Sequence, residues 1–130
     1  MTLSLIHISQ VRDESGDHAN ITLSTVVVDA DGMVRAKFEG NTSDLVDGES
    51  EVFTATGNLA NAHLWDLDSP YLYDVYSILS VDGDIVDVCK TQTGFRKAEF
   101  KGGTGTGGVW LNDHFAWLTG YAQRLSLIHI

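Results

Sequence analysis

The side chains best suited to acid–base chemistry in this sequence are five glutamates, Glu14, Glu39, Glu49, Glu51 and Glu99. A catalytic carboxylate pair works when its surroundings push the two pKa values apart. All five glutamates stand in strand or loop contexts and read as solvated surface charge. The residues Asp29-x-Asp31-Gly32 and Asp82-Gly83-Asp84 hint at calcium, but neither has the further oxygen ligands and the closing glutamate of an EF-hand loop. Both read as turns. His18, His63 and His114 have no second ligand at zinc spacing. Gly103-Thr104-Gly105-Thr106-Gly107-Gly108 formally fits G-x-G-x-x-G, which binds pyrophosphate only where a helix follows. Val109-Trp110-Leu111 follows instead, so the stretch reads as a flexible loop. There is no G-x-S-x-G elbow. Cys89 is the single cysteine and reads as a packed thiol in a strand. The sequons at Asn20 and Asn41 matter only in a host that glycosylates. No catalytic, cofactor or metal residue is assigned.

The elements that would carry these residues are strands. No window sustains i, i+3, i+4, i+7 apolar spacing. Short β-branched and aromatic runs recur between turn residues. Strands are predicted over 21–28, 34–39, 51–57, 72–81 and 85–93. Asp29-Ala30-Asp31-Gly32 and Asp82-Gly83-Asp84 supply hairpin turns. Residues 41–50 are polar and acidic and are predicted to be loop. A short strand is expected over 97–100, and a tight hairpin turning at Asn112-Asp113 over 109–120. The aggregate is an antiparallel sandwich or barrel.

Composition narrows the partners. The chain has 130 residues, 43% of them hydrophobic, and a formal net charge of −10. That is enough chain for one core. The acidic balance argues against nucleic acid and against an anionic membrane surface. No apolar run approaches the roughly 20 residues of a membrane helix, and no basic n-region with a long h-region marks a signal peptide.

Three stretches in order resemble glycoside hydrolase family 2, the β-galactosidase and β-glucuronidase group. LWDLDSPYLY at 64–73 is similar to the family's LWSPxxPYLY. TGFRKAEF at 93–100 is similar to its FGFRxxEF. Trp110-Leu111-Asn112-Asp113 with Leu118-Thr119-Gly120 resembles the segment that opens the family's catalytic barrel. The resemblance implies an immunoglobulin-like β-sandwich over 9–97, followed over 98–124 by the first hairpin and strand of a (β/α)8 barrel. It implies a parent exo-glycosidase acting on terminal β-linked sugars, with a jelly roll before the sandwich and the barrel after it as partner domains. Retaining glycosidases need two carboxylates about 5–5.5 Å apart. The family's acid/base glutamate follows an asparagine, and this chain has no Asn-Glu dipeptide. The chain alone is therefore expected to be inactive. Trp65, Pro70, Tyr73 and Phe95 are expected to be structural anchors, with Trp65 packing the sandwich core. Gln123 and Arg124 stand where the family's first barrel strand reaches the pocket, although they depart from its Asn-Arg-His pattern. The alternative is a free-standing carbohydrate- or protein-binding sandwich, which would need an exposed aromatic platform.

The hexapeptide LSLIHI occurs at 3–8 and again at 125–130. It resembles a translated sequencing adapter, so residues 1–8 and 125–130 are expected to be non-native flanks of a fragment. The first copy nevertheless has good strand propensity and leads into Ser9-Gln10-Val11. Residues 5–11 are therefore expected to pair as an edge strand, and the second copy to be a loose tail.

Overall fold

The computed structural model describes residues 2–103 and 107–120, and all of its regular elements are strands. Among the described residues no helix is long and apolar enough to cross a membrane. Two compact units divide the chain at Met1–Phe95 and Arg96–Ile130.

In the first unit, β2 (Ala19–Val28) alternates strictly: Ala19, Ile21, Leu23, Thr25 and Val27 are buried. That is the period of a strand with one face on a core. It turns into β3 (Val34–Leu45) through Asp29-Ala30-Asp31-Gly32. The Asp29 carboxylate accepts the N–H groups of Asp31 and Met33 at 3.0 and 2.8 Å, and Gly32 takes φ +80°. The aspartates are thus turn chemistry, as expected.

β3 is longer than its predicted span. Residues 41–45, expected to be loop, are strand: Thr42, Ser43, Asp44 and Leu45 pair with Thr22, Ile21, Asn20 and Ala19. The polar composition concealed this because the partner strand, not the side chains, satisfies the backbone. β4 (Ser50–Leu59), β5 (Tyr73–Val81) and β6 (Asp84–Thr93) follow, with a turn at Asp82 (φ 51°) and Gly83 (φ 92°) between the last two. β1 (Leu3–Arg12) pairs antiparallel with β4 along its whole length. Residues 5–11 therefore pair with the sheet, as expected, and the first LSLIHI copy lies within the same strand. The second copy lies outside the described residues.

The strand order is β1-β4-β3-β2-β5-β6. The sheet folds over at one seam, Gly40 on β3 opposite Ala55 on β4. A Cβ at Gly40 would lie 3.1 Å from the Leu23 carbonyl oxygen and 3.3 Å from that of Thr54. A side chain at Gly40 would force these carbonyls to give by a few tenths of an ångström, so glycine suits the close approach of β3 to its neighbours. Folding over brings two apolar clusters inside. One holds Ile21, Leu23, Leu45 and Phe53; the other holds Val27, Leu59, Tyr73 and Val75. The result is an immunoglobulin-like antiparallel sandwich.

In the second unit, β7 (Ala98–Lys101), β8 (Gly108–Leu111) and β9 (His114–Ala116) form a three-stranded antiparallel sheet. Asn112 and Asp113 take φ 50° and 69°, the left-handed pair that a tight hairpin demands.

Candidate functional site

Three regions of the described residues gather side chains that could recognise or transform a ligand. The first is an aromatic cluster beside the entry of β5. His63 stacks on Tyr71, with centroids 4.3 Å apart and planes 2° apart. Tyr71 meets Tyr73 edge-on at 5.0 Å, and Tyr73 meets Phe95 at 5.3 Å. Two hydroxyls are tied to backbone: Tyr73 accepts the His63 N–H at 2.8 Å and Tyr71 accepts the Ala30 N–H at 3.2 Å. Tyr73 is 3% exposed, and Phe95 packs on its cluster. Trp65 is half-buried rather than enclosed in the core. It lies over Gly94 and donates its backbone N–H to the Phe95 carbonyl at 2.8 Å. The reason is physical: every residue of the 60–72 connection is exposed or half-buried, so Trp65 is only partly covered. Pro70 is exposed and borders a cleft of about 350 Å3 with Asp29, Ala30, Tyr71, Leu72, Asp74 and Gln92.

Both carboxylates of that cleft are committed. Asp29 caps its turn and pairs with Arg35 at 3.6 Å. Asp74 accepts Lys90 at 2.8 Å and Gln92 at 3.0 Å. The Lys90 hydrogen bond holds the Asp74 carboxyl below the ordinary aspartate value, and Lys90 is raised in turn.

The second region is a cleft between the inner faces of β1 and β6. His7 Nε2 lies 2.8 Å from Ser77 Oγ and 3.0 Å from Ser9 Oγ, joining β1 to β5. Around it lie Leu79, Asp87, Cys89 and Thr91, in a space of about 490 Å3. Cys89 is in a strand but exposed, not packed. β6 ends the sheet, so its outer edge has no strand partner among the described residues. Setting residues 1–8 aside as foreign sequence leaves His7 out of view. The alternation of Leu3, Leu5, His7, Ser9 and Val11 is the signal that finds it.

The third region is the hairpin of the second unit. Lys97 Nζ reaches Asp113 Oδ1 at 2.6 Å and Glu99 at 3.5 Å. The first contact lowers Asp113 and raises Lys97. Lys101 Nζ lies 4.0 Å above the Trp110 ring. Phe100 is 84% exposed and Trp117 78%. Gln123 and Arg124 lie outside the described residues. Of the remaining glutamates, Glu14 pairs with Arg12, Glu49 accepts the Val46 N–H and Glu51 accepts the Ser43 hydroxyl. Among the described residues no group of three or more His, Cys, Asp or Glu could hold a metal ion.

Fold and clefts together define an immunoglobulin-like sandwich in which Asp29 serves a turn and an ion pair and Asp74 an ion pair. The family model for glycosyl hydrolases family 2 matches residues 4–96, and the chain belongs to that family. It is 29% identical over 116 residues to a beta-glucuronidase of Formosa agariphila, covering 89% of this chain and 11% of the relative. It is 46% identical over 52 residues to a beta-galactosidase of Oenococcus oeni, covering 39% of this chain and 5% of the relative. A solved beta-glucuronidase from glycoside hydrolase family 2 superposes with a TM-score of 0.78 at 26% identity, over 87% of this chain and 11% of that one. A putative beta-galactosidase from Bacteroides fragilis shares the fold with a TM-score of 0.76 at 24% identity, over 88% of this chain and 17% of that one. The chain thus spans about a tenth or less of the curated relatives it matches. The family expected from LWDLDSPYLY and TGFRKAEF is the family found.

Proposed function

We propose that this chain is the sandwich of a family 2 exo-glycosidase acting on terminal β-linked sugars, and that it supports the other domains rather than cleaving sugar. In such a parent a jelly roll stands before the sandwich and a (β/α)8 barrel after it. Residues 98–124 open the barrel, with Gln123 and Arg124 at its pocket. Residues 1–8 and 125–130 are proposed to be foreign to that parent. The observation that carries the supporting role is the state of Asp29 and Asp74. They line one cleft, yet each is held by a cation, and Asp74 is pushed toward its ionised form. Glycoside cleavage needs one carboxyl kept protonated to serve as acid. The test is an assay of the purified chain on aryl β-galactosides and aryl β-glucuronides. Hydrolysis should not exceed buffer. Turnover that co-purifies with the chain and disappears in Asp74→Asn would overturn the reading.

A second reading rests on the exposed Phe100 and Trp117, which could stack on a sugar face. Titration with galactosides and glucuronides, followed by tryptophan emission, separates the two. Saturable binding lost in Trp117→Ala favours a binding module. No binding favours an aromatic surface that the parent's barrel covers.

A further inference from the structure

We draw no further inference here: the strongest candidate, the apolar surface patch that Ile85, Val86 and Val88 expose on the sheet-ending strand β6, has no strand partner among the described residues, and nothing in the structure shows what covers it.

Discussion

The indole of Trp65 occupies the space that a side chain on Gly94 would need. A Cβ built at Gly94 would lie 2.8 Å from Trp65 Cβ and Cδ1 and 2.9 Å from Cγ. The next residue accepts the Trp65 backbone N–H at 2.8 Å. This shape contact and this hydrogen bond fasten the loop over 60–72 to the end of β6. Gly94→Ala should destabilise the sandwich by about 1–3 kcal/mol, the usual cost of overpacking. Trp65→Ala should cost about 2 kcal/mol, below the ~3–5 of a fully buried aromatic because Trp65 is half-buried. The two effects should be less than additive: Trp65→Ala removes the Cγ and Cδ1 contacts but keeps the Cβ at 2.8 Å, so Gly94→Ala should cost less in that background without becoming neutral. Additive losses in urea unfolding would show that the contact does not hold the loop.

The seam at Gly40 invites a second substitution. Gly40→Ala would press a methyl against two carbonyl oxygens, at 3.1 and 3.3 Å, on the strands either side. Neither is the end of a flexible side chain, so the backbone must move. A loss of about 1–2 kcal/mol is expected, read as a lower urea midpoint at unchanged slope. Gly16→Ala is the comparison, since a Cβ there meets nothing within 4 Å and its cost comes from φ +83° alone. Amide exchange should show the Gly40 variant loosening β3 and β4, and the Gly16 variant leaving them protected. Identical exchange patterns would refute the seam.

Asp74 and Lys90 give a pH signature. Hydrogen bonding to Lys90 lowers the folded Asp74 value, so its contribution is present above the ordinary 3.8 and is lost as pH falls through the folded value. Lys90 is raised, so its contribution is present below 10.5 and is lost as pH rises through the folded value. Asp74→Asn removes both. The stability gap between parent and variant should be widest at intermediate pH and close at each extreme. It should also narrow with salt, because the pair is partly exposed. A gap constant across pH would mean that the carboxylate acts through packing alone.

What this sequence determined by itself is local. Asp29 to Gly32, Asp82-Gly83 and Asn112-Asp113 encode turns within a few residues, because left-handed backbone and short polar side chains act over that range. The alternation from Ala19 to Val27 encodes a one-sided strand for the same reason. The family's short motifs were legible too, and with them the class of fold. Tertiary structure decided the rest. Residues 41–45 became strand because β2 offered their backbone partners from far along the chain. Cys89 lies open because β6 ends the sheet, which no property of the strand's own residues reveals. His7 reaches Ser77, 70 residues away, only once the sheet has folded over at Gly40. Each of these depends on which strand lies beside which, and that is set by pairing across the chain rather than by neighbours along it.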